Sequence, residues 1–223
     1  MLIEVACFNK EDALTAYELG ANRIELCSNY SVGGISPSIY DVEFVLQNVG
    51  IPVTVMLRPS DGSFSYSKKE ELKMLHFLAE LKRMPVNGIV FGVDYGDNWM
   101  NIMKNWLDHI KPLKITFHRA IEQYPNPLET IHELNNLGIQ RVLTGGSALG
   151  VMHHLSELIQ ILDHAPHEME IILGGGIRAK DVSTLRKYTQ IKWIHTACFN
   201  KTANRLDQQE LKKIIKLSSV EAE

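Results

Sequence analysis

The chain of 223 residues is short of several things, and each shortage excludes something. It has three cysteines, an odd number that makes no disulfide framework. It has no C-x-x-C pair of the kind that marks a zinc or redox motif. It has no G-x-G-x-x-G and no Walker loop, and no Ser-His-Asp set can be picked out from spacing. It lacks a charge excess of either sign: 23 Lys and Arg stand against 26 Asp and Glu, a net charge of −3. The basic footprint expected of a nucleic-acid or anionic-membrane binder is therefore missing. No apolar run approaches the roughly 20 residues that span a bilayer. Residues 1–8 hold no basic stretch followed by an apolar core, which argues against a secretory signal. The expectation is a cytoplasmic, reduced protein with neither nucleic acid nor membrane as partner.

What is present is rhythm. A hydrophobic content of 45% with 22% charged residues is that of a soluble globular domain, and the length suits one large domain. Strand-like runs begin at Leu2, Asn22, Ile51, Asn87, Leu113, Gln140, Met169 and Ile191, rich in β-branched residues or alternating in polarity. Each is followed by a helical pattern, and the last by "LDQQELKKIIKL". Ser67 with Glu70 three residues on reads as a capping box. Gly20 and Gly138 stand where a glycine ends a helix. Eight strand–helix units without a linker or low-complexity segment predict an α/β fold, a single TIM-like (β/α)8 barrel over residues 1–223. An open doubly wound sheet is the alternative.

Parity sharpens this expectation. In "LKITFHRA" the apolar Leu113, Ile115 and Phe117 alternate with Lys114, Thr116 and His118. In a barrel one strand face packs under helices and the other points inward. The inward set is then Arg23, Glu25 and Cys27; Thr54, Met56 and Arg58; Lys114, Thr116 and His118; with Glu4 and His195 joining them. Barrel interiors favour branched apolar residues, and buried charges need partners. This interior is either an ion-pair filling or the floor of a site.

In this fold the site lies at the carboxyl ends of the strands. Those ends gather Cys7, Cys27, Arg58, Asp94, His118 with Arg119, and His195 with Cys198. The loops "TGG" at 144–146 and "GGG" at 174–176 follow strands six and seven. Their glycines, Gly145, Gly146, Gly174, Gly175 and Gly176, are a candidate anion site built on backbone amides, although tight turns also need glycines. Cys7, Cys27 and Met56 offer thiol and thioether sulfur, the ligand type that selects Cu(I). The helical histidines, His153 and His154 among them, are expected at the surface.

The segments "NRIELC", "GGISPS", "VMLRPSDGSFSYS", "TFHRAIE", "RVLTGG" and "GGGI", in this order, resemble the CutC family of copper homeostasis proteins. The resemblance runs from Glu4 to about Cys198. It implies a TIM-like barrel, a cytoplasmic home, homo-oligomers and copper handling, with Cu(I) as the bound metal. It carries Glu25, Cys27, Arg58, His118, Arg119 and His195 over as rim and interior residues. The chain departs from the family pattern at Ser60, Ser63, Ile121 and Glu122, and Cys198 is an extra sulfur.

Two functions follow, the first from the resemblance together with the sulfur ligands and the second from the charged rim residues. One is a copper homeostasis protein that binds Cu(I) through Cys27 with Cys7 or Met56. The other is a barrel enzyme for a small anionic or phosphorylated metabolite. There His118 is the general acid or base, Arg58 and Arg119 clamp the charge, and Glu25 and His195 are further catalytic candidates.

Overall fold

In the computed structural model, which describes residues 1–219, every expected strand is present. The strands are β1 (Leu2–Cys7), β2 (Arg23–Leu26), β3 (Val53–Met56), β4 (Gly88–Phe91), β5 (Lys114–Phe117), β6 (Arg141–Thr144), β7 (Glu170–Gly174) and β8 (Trp193–Thr196). They pair in parallel and in sequence order, and β8 closes on β1. The open-sheet alternative is thereby excluded.

The helices are α1 (Lys10–Leu19), α2 (Ile39–Asn48), α3 (Lys68–Leu81), α4 (Trp99–Ile110), α5 (Pro127–Asn136), α6 (Leu155–His164), α7 (Ala179–Leu185) and α8 (Gln208–Ser219). Their ends obey local chemistry. Ser67 accepts from the Glu70 N–H while the Glu70 carboxylate accepts from the Ser67 N–H, the expected capping box. Gly20 ends α1 at φ 102° and Gly138 follows α5 at φ 84°, left-handed conformations that a Cβ would strain. A short hairpin, β9 (Phe199–Asn200) with β10 (Arg205–Leu206), follows β8. The periodicity had not marked it, because two-residue strands carry no pattern.

The parity expectation holds for the outer face. Ile24, Leu26, Val53, Val55, Leu57, Ile115 and Phe117 are buried in one large core between barrel and helices. Inside, strand register sets acids beside bases: Glu4 lies opposite Arg23 on one side and His195 on the other, and Arg141 lies opposite Glu170. Lys114 is the exception. It was expected inside, but as the first residue of β5 it stands at the amino-terminal mouth and is exposed. No helix among the described residues is long and apolar enough to cross a membrane.

Candidate functional site

A cavity of about 420 Å³ opens at the carboxyl ends of the strands. Its lining includes Glu25, Met56, Arg58, His118, Arg119, Gly175, Gly176 and His195, with Phe8, Tyr30 and Phe64 as aromatic walls. Most of the expected site residues thus meet in one place. A larger groove of about 630 Å³ lies at the amino-terminal end of the barrel and contains none of them.

Acidic groups form one side of the site. The Glu4 carboxylate, fully buried, accepts from the Arg23 guanidinium and pairs with His195 Nδ1 at 2.8 Å. Burial alone would raise its pKa. The His195 hydrogen bond and charge, with Arg23, outweigh that and hold it at about 2. Glu25 lies 3.9 Å from the same Nδ1 through its Oε2. Its pKa is raised, first by burial, with Glu4 adding to the rise. His195 is itself raised: burial opposes its charge, but Glu25 and Glu4 more than compensate. Ligand atoms of Glu4, Glu25 and His195 lie within 4.8 Å of one another, so this trio could hold a metal ion. Glu4, however, is already engaged by two cations.

Other groups at the cavity are built to donate. Arg58 is buried and pairs with no carboxylate among the described residues. Its Nη1 donates to the carbonyls of Val32 at 2.9 Å and Gly34 at 3.0 Å, and its Nη2 to that of Gly62 at 2.7 Å. Its Nε–H has no partner. A cation held by dipoles alone keeps its full charge.

His118 stands beside it. The Ala120 N–H donates to His118 Nδ1 at 3.2 Å, which assigns the ring proton of the neutral imidazole to Nε2. That Nε2 is buried and unpartnered. Burial, with the Arg58 charge, depresses the pKa to about 3. No carboxylate reaches the ring, because Glu4 and Glu25 face His195 instead. His118 is a hydrogen-bond donor here, and the groups poised to carry protons are Glu25 and His195.

The remaining candidates divide. Strand β5 ends at Phe117, and residues 119–123 turn in a short 3₁₀ helix, which brings Arg119 to the cavity. Its charge is met by Glu122 in a two-pronged pair at 2.7 and 2.9 Å. Gly175 and Gly176 line the cavity with φ of 128° and 81°. The Gly145 N–H instead donates to Glu122 and the Gly146 N–H to Thr144, so neither amide is spare. Gly174 closes β7, where a Cβ would lie 2.7 Å from Leu143. Cys27 and Met56 share an inner apolar cluster with Val90 and Phe8, whereas Cys7 belongs to the outer core. The Cys27 thiol donates to Glu25 Oε1 at 3.3 Å, and burial with the Glu25 charge keeps it protonated. Ser60 donates to Glu70 and so braces the start of α3.

Sequence reasoning missed Phe8, Tyr30 and Phe64, and the Arg141–Glu170 pair below the site. Inward parity on strands six and seven carries the signal for Arg141 and Glu170; an aromatic in a loop carries none. Of the helical histidines only His154 is less than exposed, tied to Ser147 Oγ at 2.7 Å.

The comparisons agree with this architecture. A structure from Streptococcus agalactiae, described as a candidate copper homeostasis protein CutC, is 27% identical. The match covers 87% of this chain and 97% of that one, with a TM-score of 0.80. Phosphoribosylanthranilate isomerase from Thermotoga maritima matches at 14% identity over 98% of both chains with a TM-score of 0.65. Thiamine phosphate pyrophosphorylase from Pyrococcus furiosus matches at 13% identity, covering 97% of this chain and 95% of that one, with a TM-score of 0.62. These two likenesses speak to the barrel alone. The CutC family model matches residues 1–200, and the chain belongs to the CutC family.

Proposed function

We propose that the cavity binds a small anionic molecule and that Glu25 and His195 exchange protons with it. One observation carries this reading: Arg58, which pairs with no carboxylate among the described residues, and His118, whose Nε2 has no hydrogen-bond partner, line one cavity together with Glu25. A buried cation without a counter-ion is costly, and an incoming oxyanion relieves that cost while accepting the spare N–H groups. Raised carboxyl and imidazole pKa values beside such a pocket are the arrangement that acid–base chemistry uses. Calorimetric titration with inorganic phosphate, sulfate and short carboxylic acids tests it. At least one should bind wild type, and Arg58→Gln should weaken binding about 10- to 100-fold, the value of a charge-assisted hydrogen bond. Binding of none of them, or equal binding by Arg58→Gln, contradicts the reading.

A second reading, CutC-type copper homeostasis, is favoured by the inner sulfur cluster of Cys27 and Met56 and by the description of the Streptococcus relative. Thiol and thioether are soft ligands for Cu(I), which would have to displace the Cys27 proton. Cys7, on the outer face, is the weaker partner. A Cu(I) competition titration should give at least about tenfold weaker binding for Cys27→Ser and Met56→Leu and near-wild-type binding for Cys7→Ser. Equal affinity in all four proteins removes the sulfur site. A cytoplasmic location and self-association belong to the same proposal and rest on the family.

A further inference from the structure

We propose that the cavity enolises short 2-oxo acids, with Glu25 as the base and His118 as the donor to the carbonyl oxygen. The inference rests on the anion-site reading above and names its substrate class. Three side chains lining this one cavity keep buried polar atoms without a hydrogen-bond partner: the Arg58 Nε–H, the His118 Nε2–H and Glu25 Oε2. One is a cation, one a neutral donor and one a carboxylate. Their complement is an anionic oxygen, a carbonyl oxygen and an acidic C–H.

Spacing narrows the class. The ring of Phe64 touches both donors, with its centroid 4.8 Å from the Arg58 guanidinium and 4.3 Å from the His118 ring. Two donors packed against one aromatic ring suit a carboxylate and a carbonyl of the same small molecule. The charge count narrows it further. Arg119 is already met by Glu122, so one uncompensated cation remains, which suits a single carboxylate better than a phosphate dianion. Phe8, Met56 and Leu143 add apolar surface to the lining, room for a short alkyl chain.

The step needs no oxidant or reductant. Glu25 Oε2 takes a proton from C3, and the C–H electron pair becomes the C2=C3 double bond. The carbonyl π pair moves onto its oxygen, which accepts from the His118 Nε2–H beside the Arg58 charge. A neutral imidazole is the right donor, because it strengthens its hydrogen bond to a developing enolate without protonating the ground-state carbonyl. The proton then returns from Glu25 to C3. His195, clamped by Glu4 at 2.8 Å, lies 3.9 Å from Glu25 Oε2 and steadies the carboxylate.

The experiment uses the whole chain in D₂O with pyruvate and 2-oxobutyrate, following loss of the C3 proton signal by NMR, with binding measured alongside by calorimetry. Wild type should exchange these protons at least about 100-fold faster than buffer. Glu25→Gln should lose that acceleration while still binding pyruvate, and Glu25→Asp should recover part of it. Binding of pyruvate without accelerated exchange overturns the enolisation and leaves the anion site standing. Binding of phosphate but not pyruvate does the same. Exchange unaltered in Glu25→Gln places the base elsewhere and also overturns the proposal. Failure to bind any anion removes both readings.

Discussion

Glu4→Gln should lower the free energy of unfolding by about 3–5 kcal/mol in urea titration, the cost of leaving a buried charge without its partner. Glu4 is fully buried, and its two neighbours depend on it. Arg23 donates to it while stacking at 3.9 Å on Trp193, and His195 pairs with its other oxygen. A neutral amide leaves Arg23 with only Glu170, which is partly exposed. Arg23 already keeps one buried N–H without a partner, so the site has no slack to absorb the loss. Arg23→Met alone should be comparably damaging, since it strips Glu4 of one of two cations. The double variant should lose much less than the sum, because the two charges are removed together. A loss below about 1 kcal/mol for Glu4→Gln would mean that Glu170 alone suffices for Arg23, contrary to this reasoning.

The second large effect is on pH dependence. His118 has a folded pKa depressed to about 3 from its ordinary 6.5, through burial and then the Arg58 charge. Below pH 6.5 the unfolded chain takes up a proton on this residue that the folded chain refuses. Its contribution to stability is therefore complete above pH 6.5 and falls as pH drops towards 3. The loss is about 1 kcal/mol or slightly more per pH unit. Glu4 acts in the same direction over a lower window: its contribution is present above its ordinary pKa of 4.5 and is lost as pH falls towards about 2. His195, with a raised pKa, works the other way, stabilising at low pH and fading as pH rises through its folded value. Urea titrations from pH 7 to pH 4 should show a steeper acid loss for wild type than for His118→Gln. Parallel curves would mean that His118 becomes protonated in the folded protein.

Much of this was readable from residue types. The eight strands were legible because a parallel barrel buries one strand face under helices, and Ile24, Val53, Val55 and Phe117 carry that demand openly. Alternation likewise placed Glu25, Arg58 and His118 inside. It erred at Lys114, because parity says which way a side chain points and not how far along the barrel it sits. At the mouth of β5 an inward residue is already in solvent. Cys7 was placed at the rim as a sulfur ligand against its own parity: it alternates with Ile3 and Val5, away from Glu4, and belongs to the outer core while Cys27 lies in the inner cluster. What alternation cannot supply is pairing. That Glu4 takes both Arg23 and His195, leaving Arg58 and His118 with no carboxylate, depends on register across strands 1, 2 and 8. The tautomer of His118 depends on a single N–H offered by the turn at Ala120.

Nitrogen-15 NMR of the His118 imidazole, read without and then with pyruvate and inorganic phosphate between pH 5 and pH 8, goes straight to the anion site. The expected result is a neutral ring protonated at Nε2 across that range, whose Nε2 signal moves on addition of at least one anion in wild type and stays still in Arg58→Gln. A ring that titrates between pH 5 and pH 8, or an Nε2 signal that neither anion moves, would contradict it.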